Sequence, residues 1–128
     1  MRIAWTCVAA ILAAVFLEPS SVQAQKAEHN PLAGWWGYDE KCPASDNGFG
    51  LDSDGRASDG SGAYAGRWSL REDQITIIWN ATEDERPHIK RSKWRIVENF
   101  TLVRQPQQRP MLVNIENHVR AWLCREYQ

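Results

Sequence analysis

The sequence lacks an excess of charge of either sign. It has 15 basic and 16 acidic residues, and the formal net charge is −1. Proteins that bind nucleic acid through its phosphates usually carry a clear basic excess, so we expect no nucleic-acid partner. The chain also lacks an apolar run long enough to span a bilayer, because the uncharged stretch at residues 3–17 falls short of the roughly 20 residues needed. We therefore expect no stable insertion in a membrane.

Motifs that carry enzymatic chemistry are absent from the sequence as well. It contains no Gly-x-Ser-x-Gly, no His-Glu-x-x-His and no glycine-rich phosphate loop. Its three histidines, His29, His88 and His118, have no close spacing that would complete a metal site. We expect a protein without catalytic activity, metal or cofactor.

The N-terminus has the features of a signal peptide. Met1 and Arg2 give it a positive start, residues 3–17 are uncharged, and residues 22–24 carry small side chains where a signal peptidase reads them. We expect cleavage after Ala24, so that residues 1–24 are removed. Residues 25–128 would then form a single domain in the periplasm or outside the cell.

Cysteine is scarce, and the three cysteines become two when Cys7 leaves with the signal peptide. An even pair in an exported chain is typical of a disulfide, so we expect Cys42 to bond to Cys124. Because these residues stand near the two ends of the mature chain, the bridge should tie the first strand to the last.

Turn residues divide the mature chain into short strands. The glycines concentrate in its first half, in turn contexts such as Asp54-Gly55. Ile75, Ile77 and Trp79 alternate with a period of two, as the inward side chains of a half-buried strand do. The expected strands are residues 32–39, 63–70, 75–79, 89–97 and 100–104, with a turn at Glu98-Asn99 and a loop over residues 105–110.

The end of the chain fits two structures. Its apolar side chains recur at helical spacing after a candidate cap at Asn114, but Val119, Ala121 and Leu123 also alternate as they would in a strand. We favour two closing strands, with a short C-terminal helix as the alternative. The count then reaches about eight strands, which predicts an all-β fold, a small antiparallel up-and-down barrel.

Tryptophan is the clearest excess, with seven residues in the whole chain. Rings of this size fill the interior of a small barrel, and we expect that role for most of them. Trp35 and Trp36 are adjacent, so they lie on opposite faces of one strand and one ring is left for a partner. The candidate binding residues are therefore Trp36, with Tyr38 on the same face, or Trp35, and Trp68 is a further candidate.

Charge is distributed unevenly along the chain. Residues 39–60 hold six acidic and two basic residues, whereas residues 86–125 hold nine basic and two acidic ones. We favour mutual neutralisation of the two stretches, with the basic residues between 90 and 95 protecting a strand edge. The alternative is a basic face for an anionic partner, such as an acidic protein or an envelope polymer.

Two segments resemble known families. The segment Leu32-Ala33-Gly34-Trp35-Trp36 resembles the Gly-x-Trp first strand of the calycins, and residues 66–77 are similar to a strand pair of the periplasmic metalloprotease inhibitors of Gram-negative bacteria. The resemblance implies an eight-stranded barrel with one disulfide. It also implies an N-terminal tail that blocks the protease, and residues 25–31, which include Gln25 and His29, match that tail in position. The cysteines of this chain lie farther apart than those of the inhibitors.

These observations predict an exported, monomeric binding protein without catalytic activity. The more specific hypothesis is a protein that docks on and inhibits an envelope or secreted enzyme. The alternative is a lipocalin-like carrier of a small apolar or carbohydrate ligand in the mouth of the barrel.

Overall fold

The computed structural model describes residues 30–127, which form eight antiparallel strands in an up-and-down barrel. The strands are β1 (Gly34–Gly37), β2 (Gly48–Leu51), β3 (Arg56–Asp59), β4 (Tyr64–Arg71), β5 (Gln74–Ala81), β6 (Arg95–Val103), β7 (Met111–Asn114) and β8 (Arg120–Glu126). Each strand pairs with the next, and β1 pairs with β8, which closes the sheet. The predicted all-β barrel is confirmed. The predicted signal peptide and the tail residues Gln25 and His29 lie outside the described residues.

Alternation along each strand builds the core. In β5, Ile75, Ile77 and Trp79 are buried and point into the barrel, as the period of two predicts. They pack with the other inward side chains in one apolar cluster, which includes Trp36 and Phe49. Because a closed sheet leaves no free edge, the barrel also removes the unpaired strand edges that promote aggregation.

The segment between β5 and β6 differs from the prediction. The expected strand at residues 89–97 is wrong, since short 3-10 helices occupy Arg86–His88 and Arg91–Lys93 and β6 begins only at Arg95. Local hydrogen bonds stabilise these turns: the Trp94 indole donates to the carbonyl of Ile89 at 3.1 Å. The hydrogen bonds formed within the loop therefore outweigh the preference of its sequence for an extended strand.

The expected turn at Glu98-Asn99 is also wrong, because β6 runs through both residues. The Asn99 side-chain oxygen accepts hydrogen bonds from Thr76 Oγ1 at 2.8 Å and from Gln74 Nε2 at 3.3 Å, across the pairing with β5. Cross-strand contacts of this kind outweigh the local turn preference of asparagine.

The closing segment is a strand. The alternative of a C-terminal helix is wrong, because β7 and β8 occupy this segment. In β8, Ala121 and Leu123 face the core, whereas Trp122 between them is only half-buried. The predicted loop at residues 105–110 is confirmed. The Cys42–Cys124 disulfide is present, and it joins the loop after β1 to β8, beside the pair of strands that closes the barrel.

The two ends of the barrel differ. At one end, which we call the closed end, Leu32 is 1% exposed and belongs to the apolar cluster. The Trp36 indole donates to the Leu32 carbonyl at 3.0 Å and holds this plug in place. At the opposite end the loops at residues 38–47, 60–63, 82–94 and 115–119 surround an opening, which we call the open end.

Candidate functional site

A cavity of about 140 Å³ lies inside the barrel at the open end, and we call it the mouth. Strand register places its wall, since the ends of β1, β3 and β5 and the starts of β2, β4 and β6 meet at this end of the barrel. The lining is mostly aromatic, with two carboxylates: Tyr38, Phe49, Asp59, Tyr64, Trp79, Ile96 and Glu98. Larger depressions elsewhere lie on the outer surface of the barrel, among exposed side chains.

The inward face of the barrel changes character along its axis. From the closed end it is apolar, and at the open end it carries Asp59, Glu98 and Asn114. Asn114 is only 4% exposed, and its Nδ2 donates to Glu98 Oε2 at 3.0 Å. Buried polar side chains are uncommon unless something requires them, so this cluster marks the mouth as a candidate site.

Asn114 also fixes the position of Glu98. The Asn114 side-chain oxygen accepts hydrogen bonds from the backbone N–H groups of Glu116 and Asn117, at 2.9 Å and 3.2 Å. The tight turn after β7 thereby orients the amide whose nitrogen holds the Glu98 carboxylate. One carboxylate oxygen is tied to the barrel wall in this way, while the group as a whole borders the cavity.

The mouth perturbs its titratable groups. Burial raises the pKa of Glu98 above its usual value of 4.5, against the lowering effect of hydrogen bonds from Trp79 and Asn114, and the charge of Asp59 adds to the increase. Tyr38 is 36% exposed, and its partial burial, with the charges of Glu98 and Asp59, raises its pKa to about 12. The Tyr38 hydroxyl is thus neutral at any physiological pH, and the surroundings of Glu98 disfavour the charged form of its carboxyl.

Aromatic rings form the walls of the mouth. The rings of Tyr38 and Phe49 are 5.8 Å apart, and Phe49 meets Trp79 edge to face at 6.3 Å. The Tyr64 hydroxyl donates to the Lys93 carbonyl at 3.1 Å and ties the wall to the loop between β5 and β6. Edge-to-face packing and a tethered phenol give the cavity fixed walls.

The residues predicted from the sequence fall in three places. Trp36 is fully buried in the core, and Trp68 is buried with its indole donating to the Asp52 carbonyl at 2.8 Å near the closed end. Trp35 is half-buried on the outer face, beside the loop at residues 43–46. Of the four, Tyr38 alone lines the mouth. The roles of Gln25 and His29 stay predictions, since neither residue is described.

Sequence reasoning missed Glu98, the residue that distinguishes the mouth. The signal was present: Ile96, Glu98, Phe100 and Leu102 alternate along β6, and the carboxylate stands in phase with three apolar side chains. A glutamate at an inward position of an alternating strand places a carboxyl group among apolar side chains. The predicted turn at Glu98-Asn99 divided these four residues between two strands, so their alternation along a single strand was missed.

A basic surface flanks the open end. The loop between β5 and β6 exposes most of its basic side chains, and the guanidinium groups of Arg86 and Arg91 lie 5.5 Å and 5.6 Å from the centre of the Trp94 ring. Arg86 also pairs with Glu83 at 2.8 Å. The basic residues therefore stack on the loop itself, outside the cavity.

Comparison with known proteins gave no match, whether against family models, curated proteins or solved structures. Within residues 30–127, no set of three or more His, Cys, Asp or Glu side chains is grouped to hold a metal ion. No helix in the same part of the chain is long and apolar enough to cross a membrane. The function of this chain therefore has to be inferred from the geometry of its own residues.

Proposed function

We propose that this protein is an exported, non-catalytic binding protein whose ligand enters the mouth of the barrel. The observation that carries the proposal is the half-buried, inward-facing carboxylate of Glu98 in an aromatic cavity that opens to solvent. Ligand sites combine apolar walls with a few fixed polar groups, and they often occupy the mouths of β-barrels. A carrier of a small ligand is the function that this geometry favours.

The volume of the mouth limits the ligand. Sites for drug-sized ligands span about 300 to 1,000 Å³, whereas an apolar cavity of about 150 Å³ holds a benzene molecule. At about 140 Å³ the mouth accepts a group of similar size. A hexose has about twice as many non-hydrogen atoms as benzene, so only part of a sugar would enter.

Docking on an enzyme is the second candidate, and one observation favours it. Tyr38, Ile115 and Val119 are large apolar side chains that are exposed, and all three lie at the open end. Exposed apolar residues around a cavity are suited to a protein interface, in which the mouth would receive a side chain of the partner. The tail at residues 25–31 would be a separate contact, as the resemblance to protease inhibitors implies.

Blocking the mouth tests the proposal. Ile96→Phe places a larger ring in the cavity, while Val97→Phe adds a similar ring on the outer face of the same strand. A small-molecule library is screened by ¹⁵N NMR, with the indole signal of Trp79 as the reporter. We expect hits that Ile96→Phe abolishes and Val97→Phe retains. Hits that survive Ile96→Phe, or an absence of hits, would contradict the carrier function.

Docking has a different signature. Ile115→Ser should weaken capture of an enzyme partner from an envelope extract while leaving small-ligand binding at Trp79 unchanged, because Ile115 lies on the rim and does not line the cavity. An unchanged capture by Ile115→Ser would remove the observation on which the docking candidate rests.

A further inference from the structure

We propose that the mouth binds an organic cation, an ammonium or guanidinium group, with its positive charge against the carboxylate of Glu98. The inference rests on the proposed function and adds the chemical class of the ligand. Its basis is the combination of inward carboxylates, aromatic walls and a small volume at one end of the barrel.

The first argument is the charge of the mouth. Its lining contains two carboxylates and no basic side chain. The ion pairs formed within residues 30–127, Arg56 with Asp54 and Arg86 with Glu83, do not involve the mouth. A carboxylate withdrawn from water without a cationic partner is costly, so a cation supplied by a ligand would recover part of that cost.

Glu98 is the better placed of the two carboxylates. Asp59 already accepts hydrogen bonds from the backbone N–H and the hydroxyl of Ser61 in the turn after β3. Glu98 accepts hydrogen bonds from Asn114 Nδ2 and from the Trp79 side chain, and a carboxylate has about four lone-pair directions, so capacity for a ligand donor remains. The Asp59 charge then adds to the negative potential without being the main contact.

The second argument is the wall. Aromatic faces attract cations that lie within about 6 Å of the ring centre, and indole does so best. Trp79, Phe49 and Tyr64 border the same cavity as Glu98, so one bound group would lie beside a carboxylate and aromatic rings together. A metal ion would need several oxygen or nitrogen ligands instead of rings. Aromatic walls with one anchored carboxylate therefore favour an alkylated or planar organic cation.

The third argument is the surface beyond the rim. Lys93 and its basic neighbours stand on the loop to which the Tyr64 hydroxyl is bonded, outside the cavity. The groups whose charge acts on Glu98 are Asp59 and Glu116, both acidic. The charges that act on Glu98 therefore add to the negative potential of the mouth, which favours a cationic ligand.

A matched pair of ligands tests the charge requirement. The protein is titrated with n-butylammonium and with n-butanol, which have similar size and differ in charge, and the Trp79 indole signal reports binding in the cavity. We expect n-butylammonium to bind at least about tenfold more tightly, as a charged pair out of water implies. Glu98→Gln, which keeps one oxygen acceptor and removes the charge, should weaken n-butylammonium by about 30-fold or more and n-butanol by a much smaller factor.

The control variant is Glu116→Gln, which removes an exposed carboxylate outside the cavity. We expect it to change the affinity for n-butylammonium by about twofold or less. Equal affinity for the two ligands, or Glu98→Gln binding the amine as the parent does, would overturn the cation proposal while the carrier function stands. Failure of both ligands and of the library screen would instead overturn the proposed function itself.

A third ligand identifies the source of the cation. Nα-acetyl-lysine amide presents the same ammonium group on a peptide backbone. Tighter binding of this ligand than of n-butylammonium assigns the mouth to a lysine side chain of a protein partner. Weaker binding assigns it to a free amine. Both results require Glu98, so loss of either interaction in Glu98→Gln supports the shared chemistry.

Discussion

Removing the Cys42–Cys124 disulfide should destabilise the protein mainly through its unfolded state. The bond joins residues 82 positions apart in sequence, so it restricts the conformations of most of the described chain in the unfolded state. On the chain-entropy relation, a loop of this length gives a stabilisation of about 4.5 kcal/mol at 25 °C. A domain of this size has a total stability of about 5 to 15 kcal/mol, so this one bond supplies between about a third and nearly all of it.

Urea denaturation of three samples measures this contribution: the oxidised protein, the reduced protein, and Cys42→Ala/Cys124→Ala. With a urea m-value of about 2 kcal/mol per molar, the transition midpoint should fall by about 2 M in both altered samples. The m-value should rise, because the unfolded chain expands when the bond is absent. Agreement between the reduced protein and the double variant shows that the missing bond, and not the altered side chains, is responsible.

The result that would refute this reasoning is a midpoint shift of less than about 0.5 M with an unchanged m-value. The unfolded chain would then retain structure that holds the two ends together without the disulfide. A large loss of native circular dichroism in the reduced sample before any urea is added would instead show that β1 and β8 do not pair without the bond.

Three further substitutions follow from the packing and the charge of the barrel. Trp36→Phe should lower the free energy of unfolding by about 2 to 4 kcal/mol, because the fully buried side chain loses volume and its hydrogen bond. In the same urea assay, Trp35→Phe on the outer face should lower it by less than about 1 kcal/mol. Gly60→Ala should destabilise more than Gly62→Ala in thermal unfolding, because a Cβ at 60 collides with a backbone carbonyl, whereas 62 has open space and only a positive φ of 77°. Glu98→Gln should raise the melting temperature at pH 7: the folded state raises the pKa of this carboxyl above 4.5 and therefore loses stability as pH rises through that raised value. The gain should vanish below pH 4.5, where both states are protonated, and a variant less stable than the parent at pH 7 would contradict the buried-charge argument.

The architecture could be predicted because local patterns carried it. The alternation of Ile75, Ile77 and Trp79 identifies β5 and its inward face. Once Cys7 is assigned to the expected signal peptide, the two remaining cysteines leave one pairing. β6 could not be delimited in the same way, since Glu98 and Asn99 prefer turns locally. Their extended conformation depends on β5, whose Thr76, 23 residues before Asn99 in sequence, donates a hydrogen bond to it.

The candidate site was less accessible to sequence reasoning than the fold. An excess of tryptophan indicates aromatic packing, but it does not distinguish Trp36, which fills the core, from Trp79, which also lines a cavity. The mouth is formed by side chains from six strands or their adjoining residues, and their proximity follows from the register of closure. From the sequence alone, only the alternation of Glu98 with its apolar neighbours in β6 could have indicated the site.

The most direct measurement is the pKa of Glu98 with and without a bound amine. The side-chain carboxyl carbon of Glu98 is followed by ¹³C NMR across a pH titration, first in the free protein and then at a saturating concentration of n-butylammonium. Binding and deprotonation are linked, so a cation that prefers the charged carboxylate must lower the pKa of that carboxyl. The account predicts a pKa above 4.5 in the free protein and a lower one in the complex. Identical pKa values in the two titrations would contradict it, because the cation would then not lie against Glu98.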